Sequence, residues 1–572
     1  MNPRKKILVI FGLLLVFFFS VAAKLFETQV LDHREWLQKA SQVQIREVIQ
    51  SQPRGRIYDR NGQLLAFDVQ ATSIALDNYH MTKPELLEGL LEKHLGLSQS
   101  DARKLIYREG FFTWIERKVD PDVADALQKD AQEMGTWGLI FIPEWKRVYP
   151  QGSLASNVIG FSGMDDHGLE GIELQFDEAL RGHEEHDEIV RGGGGTQLST
   201  RIVDPGLPGS DIYLTLDSTI QHIAEDAIKN AVRQRNAKGG FVIVLDPQSG
   251  DIIALASHKT YDLNHFETSS ASQRNDWLVA LTFEPGSTFK PFTVLAALDA
   301  GNIKPDDIFN GDQPMTLFGH KFHNAEYKSY GYDTVANLFK NSVNTAIIRM
   351  TQSLQPDYLY QFLHRFGFGK RTGVELPGEV AGTLHPPDAW QGTDQAAISI
   401  GQAVSVTGIQ LAAAYGVLAN GGWLRTPHII RQVNDFNSKT TSDQGLSPSK
   451  TAPVASKPSL DELKSMMALV VEDGTGTNAK IDGFDVAAKT GTGQKAKLGG
   501  RGYATDRYTS LFAGFFPVEN PKYVVIVVLD EVDISQGQDY YGGIVAAPVF
   551  KEVALGIIGH EHLLPVEQTT DK

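Results

Sequence analysis

The sequence contains no cysteine in its 572 residues. This absence excludes disulfide scaffolds, thiol catalysis, iron–sulfur clusters and cysteine-based zinc sites. It leaves the compartment open, because a large domain can be stable outside the cell without disulfides. The chain also lacks a basic excess, since 53 lysines and arginines stand against 69 aspartates and glutamates and the formal net charge is −16. We therefore expect no nucleic-acid partner, because such binding depends mainly on neutralised phosphates.

Long apolar runs are scarce too, and only one is long enough to cross a bilayer. Residues 7–26 are apolar apart from Lys24 and a few small residues, and about 20 such residues span ~30 Å of hydrocarbon as a helix. Basic residues at positions 4–6 favour a cytoplasmic tail at residues 1–6 and place the rest of the chain outside the cytoplasm. A signal peptide cleaved after residues 21–23 is the alternative. We expect a retained single-pass anchor, because the run is longer than the apolar part of a usual signal peptide.

The next predicted unit, residues 27–205, has a mixed α/β pattern and no cluster of catalytic side chains. Residues 54–66 indicate a strand, an Asn-Gly turn and a second strand, and residues 84–106 and 121–134 favour helices. The glycines at 192–195 do not suit a regular element, and residues 201–210 have the composition of a connector. We interpret this unit as a non-catalytic pedestal or dimerisation domain.

A second unit is expected at residues 211–560, followed by a carboxy-terminal tail at 561–572. Its pattern of strands, then many helices, then strands and a closing helix predicts an α+β fold, with a central antiparallel sheet flanked by helices. Residues 436–458 are rich in Ser, Thr, Lys and Pro, which favours a flexible surface insertion. The predicted elements are a strand at 211–216, a helix capped by Asp217, a hairpin at 241–256, strands at 509–516 and 523–529, and a helix at 545–558.

The first candidate motif is Ser287-Thr-Phe-Lys290, preceded by the helix-breaking pair Pro285-Gly286. If a helix starts at Ser287, its hydroxyl and the Lys290 amine lie on one face of the first turn. A serine hydroxyl needs a neighbouring base to become nucleophilic. Lysine can be that base only when burial or a nearby positive charge keeps it neutral. Alone the pattern is weak, because Ser-x-x-Lys is common on surface helices.

The second candidate motif is Ser342-Val343-Asn344, in which two polar residues flank an apolar one. On a short loop both polar side chains point the same way. The hydroxyl can then relay a proton and the amide can bind a peptide backbone. A helix cap is the simpler interpretation if this motif is taken alone.

The third candidate motif is Lys489-Thr490-Gly491-Thr492, after the alternating residues 484–488. A strand edge of this kind can line a cleft and pair with an extended peptide, and Gly491 lets a substrate approach the backbone closely. Lys489 supplies a positive charge that helps to keep Lys290 neutral. A solvated edge strand is the alternative for this motif alone.

In this order, the three motifs are the signature of penicillin-binding proteins and serine β-lactamases. Val343 replaces the Asp of class A β-lactamases and fits the Ser-x-Asn form of penicillin-binding proteins. Over nearly its whole length the chain resembles the class B penicillin-binding proteins, which are monofunctional peptidoglycan D,D-transpeptidases. Segments that add to the resemblance are 54–62, 168–173, 376–379, 399–404 and 541–550, the last of which is similar to division-type members.

The resemblance implies a role for each motif residue. Ser287 is the acylated nucleophile, Lys290 its general base, and Ser342 with Lys489 passes a proton to the leaving amine. The donor stem peptide is bound by Asn344, Thr490, Gly491 and Thr492, and the oxyanion lies between the backbone N–H groups of Ser287 and Thr492. No metal or cofactor is expected, and the sixteen histidines show no His-Glu-x-x-His spacing.

The resemblance further implies partners and a cellular role. Expected partners are peptidoglycan stem peptides, β-lactam antibiotics, the membrane, a polymerising glycosyltransferase and other membrane proteins of the division machinery. Septal wall synthesis is the favoured role, with elongation as the runner-up. A carboxypeptidase or β-lactamase that uses water as acceptor, and a scaffold with an inactive site, are the other hypotheses.

Overall fold

A long apolar helix opens the structure, which is a computed structural model describing residues 3–36, 45–191, 197–274, 277–434, 441–443, 452–496, 503–535 and 539–565. Helix α1, Pro3–Phe26, continues into a π-helical turn at Glu27–Leu31. An apolar window within residues 4–31 has mean hydropathy 2.6 and is not buried by any other part of the protein. These properties indicate a membrane anchor, as predicted. The closing segment Gly542–His560 is also long and apolar enough to span a membrane, but more than half of it is buried in the protein core.

The pedestal half contains a three-stranded sheet and four strands of a seven-stranded sheet that continues into the second half, and helices pack on these four strands. The predicted hairpin is confirmed, with Ile57 opposite Ala66 and Gly62 in the turn. The helical region 84–106 is two helices, because Gly96 adopts a left-handed conformation that ends the first. The strands are β1 Ile45–Gln50, β2 Ile57–Tyr58, β3 Leu64–Asp77, β4 Phe112–Val119, β5 Leu139–Val148, β6 Glu185–Arg191 and β7 Gln197–Asp204; the helices are α2 Pro84–Leu95, α3 Gln99–Ile106, α4 Pro121–Glu133, α5 Ser156–Ile159, α6 Gly171–Gln175 and α7 Asp177–Leu180.

The prediction that residues 201–210 form a connector is wrong for its first part. Strand β7 runs to Asp204 and pairs with β6, for example through Ile202 opposite Asp187. Pro205 and Gly206 therefore end a strand, and the irregular chain is limited to residues 205–210. The glycines at 192–195, which were predicted to interrupt regular structure, lie outside the described residues.

A buried ion network holds the pedestal together. The Arg54 guanidinium donates to Glu173 at 2.8 Å and to Asp177 at 2.6 Å, and Arg147 donates to Glu173 at 2.7 Å. The Arg54 and Glu173 side chains are at most 1% exposed. Arg147 also pairs with Asp68 at 3.1 Å. Each buried charge therefore has a partner, which is the condition under which such groups are tolerated in a protein interior.

The half from residue 211 onward, which the motifs predict to be catalytic and which is named the catalytic half for that reason, is built on a five-stranded antiparallel sheet. This sheet confirms the predicted fold class. The order is β10-β9-β21-β20-β19. The strands of this half are β8 Asp211–Leu214, β9 Gly239–Leu245, β10 Ile252–Ser257, β11 Thr282–Phe283, β12 Ile308–Asn310, β13 Met315–Leu317, β14 His320–Phe322, β15 Tyr332–Thr334, β16 Val406–Thr407, β17 Ile430–Asn434, β18 Thr441–Asp443, β19 Ala487–Ala496, β20 Tyr503–Phe516 and β21 Tyr523–Asp530.

Helices cover both faces of this sheet. The helices are α8 Ser218–Gln234, α9 Ala271–Arg274, α10 Trp277–Ala280, α11 Lys290–Asp299, α12 Val335–Lys340, α13 Asn344–Thr351, α14 Pro356–Arg365, α15 Asp394–Ser399, α16 Gly408–Ala419, α17 Lys457–Asp473, α18 Gly542–Val545 and α19 Ala547–His560. Helices α8 and α19 pack on one face and α16 on the other. Strands β9 and β21 are consequently buried along their whole length, which explains their continuous apolar sequences. Asp217 caps α8 as predicted, accepting from the backbone of Thr219 at 2.9 Å.

The two halves share one sheet and one apolar core. Ile57 of β2 pairs in parallel with Ile212 of β8, and β8 pairs in turn with β17. The turn after β2 contacts the start of α8, where the Asp59 carboxylate accepts from the Ser218 hydroxyl at 2.7 Å. Pedestal and catalytic side chains, for example Leu180 and Leu214, belong to the same buried cluster. The seam between the halves is therefore a packed interface.

Part of the predicted insertion at 436–458 is regular structure. Residues 435–440 and 444–451 lie outside the described residues, whereas β18 pairs with β17 and Ser456 caps α17. Val454 and Ala455 are buried. The carboxy-terminal end of the segment is thus part of the core.

Replacing Arg54 by Ala is expected to lower the free energy of unfolding by about 3–5 kcal/mol, because Glu173 would keep a buried charge without its partner. Urea unfolding of residues 27–572 measures this loss. Lys104→Ala is the matched control, because Lys104 and its partner Asp101 are both well exposed, and it should leave the unfolding midpoint nearly unchanged. Equal midpoints for Arg54→Ala and the parent protein would contradict the role given to the network.

Candidate active site

The first motif lies at the junction of a 3₁₀ turn and a helix. Gly286–Phe289 form the turn and α11 begins at Lys290. Ser287 therefore lies in the turn that leads into the helix, whereas the sequence predicted that the helix begins at Ser287 itself. The Thr288 hydroxyl donates to the Pro285 carbonyl at 2.7 Å and fixes the turn. Ser287 is half-buried and Lys290 is completely buried. A partly exposed serine thus precedes a lysine that has no contact with solvent.

The second motif receives the Lys290 side chain. The amine nitrogen is 2.7 Å from the Ser342 carbonyl oxygen, 3.0 Å from the Ser342 hydroxyl and 2.7 Å from the Asn344 amide oxygen. Ser342 has a positive φ of 58°, a conformation that is uncommon for a residue with a side chain. Val343 is buried and α13 begins at Asn344 without a side-chain cap. The helix-cap alternative is therefore wrong, and the motif serves Lys290.

The three contacts are compatible with a neutral amine. The Lys290 amine is the donor in all three contacts. A neutral lysine has two N–H bonds and one lone pair, so its two hydrogens serve two of these acceptors at a time and the lone pair remains for an incoming proton. Asn344 is held in place because its amide nitrogen donates to the His323 carbonyl at 2.8 Å. Its second amide hydrogen is available for a ligand.

The third motif lies on β19, the edge strand of the catalytic sheet. Lys489 is completely buried, and its amine donates to the Thr490 carbonyl at 3.2 Å. The Thr490 hydroxyl bonds that of Thr475 at 2.8 Å, and the Thr492 hydroxyl oxygen accepts from the Gly542 backbone at 3.2 Å. Because that oxygen accepts, the hydrogen of the Thr492 hydroxyl is free to donate to a carboxylate. The edge strand is thus partly buried and not a solvated edge.

Gly491 brings the first and third motifs together. A Cβ at this position would lie 2.7 Å from Thr288 Cγ2 and 3.1 Å from the Pro285 carbonyl oxygen. Only glycine therefore lets β19 lie directly against the turn that carries Ser287. The sequence suggested close approach of a substrate here, whereas the structure shows close approach of the protein's own turn.

Burial sets the protonation of the two lysines. Burial lowers the pKa of Lys290 well below its usual value, and repulsion from Lys489 lowers it further. Burial lowers the pKa of Lys489 to about 7. Desolvation is thus the main reason that Lys290 can be neutral, and the charge of Lys489, which the sequence suggested, is the smaller cause.

Sequence reasoning missed several residues around the cleft. Thr475 holds Thr490 from a glycine-flanked loop, and Glu284 accepts from the Ala403 backbone at 3.1 Å. The one available signal was glycine on both sides of Thr475.

Among the described residues, Asp217, His560 and Glu561 form the grouping closest to a metal site. The Asp217 carboxylate already caps α8 and binds Asn61, so it is occupied by protein groups.

Two family models match the chain along most of its length. The one described as "Penicillin binding protein transpeptidase domain" matches residues 240–555, which is more than half of the chain. The one described as "Penicillin-binding Protein dimerisation domain" matches residues 49–214.

Known proteins of the same family are similar to the chain over most of its length. "Probable peptidoglycan D,D-transpeptidase PenA" of Neisseria gonorrhoeae is 33% identical over 526 residues, covering 90% of this chain and 86% of PenA. "Stage V sporulation protein D" of Bacillus subtilis is 31% identical over 505 residues, covering 87% of this chain and 76% of that protein.

Solved structures share the fold over nearly the whole chain. A peptidoglycan synthetase from Bifidobacterium adolescentis has a TM-score of 0.72 at 25% identity, covering 92% of this chain and 98% of that one. Penicillin binding protein 3 from Mycobacterium tuberculosis, complexed with aztreonam, has a TM-score of 0.69 at 26% identity, covering 91% and 98%. With three motifs gathered at one cleft, these matches show that the chain belongs to the class B penicillin-binding proteins, the serine-type D-Ala-D-Ala transpeptidases.

Proposed function

We propose that the chain cross-links peptidoglycan stem peptides through an acyl-enzyme on Ser287. The observation that carries this proposal is the buried Lys290 amine, bonded to Ser342 and Asn344 and three residues from Ser287. Neutral Lys290 takes the proton of the Ser287 hydroxyl, whose oxygen attacks the penultimate D-Ala carbonyl carbon of the donor peptide. The carbon–nitrogen bond breaks, and Ser342 passes a proton to the leaving D-Ala nitrogen, assisted by Lys489.

The donor peptide is held along β19. Its terminal carboxylate accepts from the Thr492 hydroxyl and from Thr490, with Lys489 close by as the positive charge. The free amide hydrogen of Asn344 binds the peptide backbone on the opposite wall. The oxyanion is stabilised by the backbone N–H groups of Ser287 and Thr492, which the approach at Gly491 brings close to each other. The same site is expected to react with β-lactams, whose strained ring amide acylates Ser287 and leaves a long-lived acyl-enzyme.

The second half of the reaction forms the cross-link. The amine of a neighbouring stem peptide attacks the ester carbon, the bond to the Ser287 oxygen breaks, and that oxygen recovers a proton through Lys290 and Ser342. A carboxypeptidase or β-lactamase would use water at this step. The membrane anchor and the pedestal favour the transpeptidase, because both fix the enzyme close to a wall that is built at the membrane.

We further propose the placement of the protein in the cell. Residues 1–6 lie in the cytoplasm, α1 crosses the membrane once, and the catalytic unit of residues 211–560 lies outside, raised by the pedestal of residues 27–205. The pedestal and anchor contact a polymerising glycosyltransferase and other proteins of the division machinery. The resemblance of residues 541–550 to division-type members supports a septal role, and elongation is the alternative.

Benzylpenicillin is expected to acylate Ser287 alone, because this residue is partly exposed and lies three residues before the buried Lys290. Mass spectrometry of a proteolytic digest should place the adduct on the peptide that contains Ser287. Ser287→Ala and Lys290→Arg should both give no adduct, the second because a guanidinium does not lose its proton. Rapid acylation of Lys290→Arg at neutral pH would falsify the base assignment.

Lys489→Met should move the acid limb of the pH profile of the acylation rate to higher pH. Below about pH 7 Lys489 is charged and holds the pKa of Lys290 down. Removing that charge raises the pKa of Lys290, so less of it is neutral at a given pH. The measurement is the rate of labelling by a fluorescent penicillin between pH 5 and pH 9, and Lys480→Met, at an exposed lysine, is the control. A limb that stays in place or moves to lower pH contradicts the coupling.

Depletion of the protein from its host is expected to give long, undivided cells, because septal cross-linking would stop while elongation continues. Light microscopy during depletion distinguishes this outcome from rounding, which would instead indicate the elongation role. Re-expression of the parent chain should restore division. Re-expression of the Ser287→Ala variant should not.

A further inference from the structure

Helix α13 begins inside the second motif but takes no cap from it. The residue at the cap position is Val343, whose side chain cannot accept a hydrogen bond. Serine and asparagine are among the residues that most often cap a helix, yet Ser342 and Asn344 both face the Lys290 amine. The acceptor that the first turn of α13 needs therefore comes from another part of the chain.

Asn324 supplies this cap from 21 positions earlier in the sequence. Its side-chain oxygen accepts from the Thr345 backbone N–H at 3.0 Å and from the Thr345 hydroxyl at 3.1 Å. Thr345 is the second residue of α13, and the N–H group at that position is one that a local capping side chain normally binds. Because Asn324 takes over the capping, the polar side chains of the second motif are left for Lys290.

The Asn324 side chain is buried and uses its whole hydrogen-bonding capacity inside the protein. Its amide nitrogen donates to the Gly311 carbonyl at 2.9 Å and to the Lys328 carbonyl at 2.9 Å, and only 5% of the residue is exposed. A side-chain amide has two hydrogens and an oxygen with two lone pairs. All four positions are occupied, so Asn324 has no group left for a ligand and its role is to hold other residues.

His323, the neighbour of Asn324, fixes the adjacent amide of the second motif. The Asn344 amide nitrogen donates to the His323 carbonyl at 2.8 Å. A carbonyl can only accept, so this contact turns the nitrogen of the Asn344 amide away from Lys290 and the oxygen toward it, at 2.7 Å. Two consecutive residues thus bind two consecutive residues of α13. This pair of contacts fixes both the position and the rotation of the helix start.

The loop before α13 is strained and depends on such contacts. Ser342 has φ of 58°, a conformation that is unfavourable for a residue with a side chain. On one side the loop is held by backbone bonds, for example from the Ser342 N–H to the Phe339 carbonyl at 2.9 Å. On the other side it continues into the helix start that Asn324 holds. Release of that start would let Ser342 relax and move its carbonyl and hydroxyl away from the Lys290 amine.

We propose that Asn324 is the positioning residue of the general base, holding the second motif against Lys290 by capping α13 from a distance; this rests on the proposed acyl-enzyme mechanism. Since its four hydrogen-bonding positions are occupied, Asn324 acts through Asn344 and Ser342. These two residues hold the Lys290 amine in place while its lone pair takes the proton of the nucleophile. The contribution of Asn324 is therefore to the rate of acylation.

The test measures acylation of the full-length protein by a fluorescent penicillin, as the first-order rate constant at saturating penicillin for the sites that are finally labelled. Asn324→Ala should lower this rate constant on the order of ten- to a hundredfold, the effect of one or two buried hydrogen bonds. Asn324→Asp keeps an oxygen for the Thr345 backbone, so it should recover part of the rate. Asn302→Ala is the matched control, because the exposed Asn302 side chain donates to Ser353 at 2.9 Å, and it should behave like the parent protein.

A double-mutant cycle distinguishes positioning from a merely structural role. If Asn324 acts through the second motif, Asn324→Ala should slow acylation much less in an Asn344→Ala background than in the parent protein. Thermal unfolding of each variant, followed by circular dichroism, gives the folded fraction at the temperature of the assay.

The outcomes separate this inference from the proposed function. An unchanged rate constant in Asn324→Ala overturns the positioning role, and so does a full, additive loss in the Asn344→Ala background. Fewer labelled sites with an unchanged rate constant, or unfolding of both Asn324 variants, shows a structural role alone and overturns it too. If the parent protein forms no adduct on Ser287, the acyl-enzyme mechanism itself is wrong.

Discussion

The active site depends on the burial of one amine. Lys290 has no contact with solvent, and its nitrogen bonds only to groups of Ser342 and Asn344 in the described structure. Since a charged amine is expensive to bury, the site favours the neutral form, which is the form able to accept a proton from serine. Packing around Lys290 excludes water. Helices α11 and α13 pack on each other, and strand β19 packs on the turn that precedes α11. The base therefore results from packing of the whole catalytic half.

A second constraint is the close approach of backbones around that amine. Gly286 donates to the Gly401 carbonyl at 3.0 Å, and Gly491 lies against Thr288. A Cβ at Gly542 would lie 2.3 Å from the Gly491 carbonyl oxygen. Segments that are far apart in the sequence thus meet with no side chain between them. This contact positions Ser287 beside the strand that would hold the donor peptide.

The sequence was sufficient for the features that depend on local chemistry. The Asp217 cap, the hairpin at 241–256 and the three motifs were each predictable, because their signals lie within a few residues. The contact of Thr475 with Thr490 was not, since no spacing rule joins residues that only tertiary folding brings together. The strand at 197–204 was missed for the same reason, because its partner β6 gives it its structure.

The pairing of early strands with late strands in both large sheets also constrains the order in which this protein can fold. Strand β9 is completed by β21, and β8 by β17, so both sheets join early residues to late ones. Strands β8 and β9 therefore each keep an open edge until β17 and β21 have been made, a separation that slows folding and invites wrong pairing. The anchor keeps each chain at the membrane during that time, away from freely diffusing copies of itself. Tethering by α1 thus limits aggregation during folding as well as localising the finished enzyme.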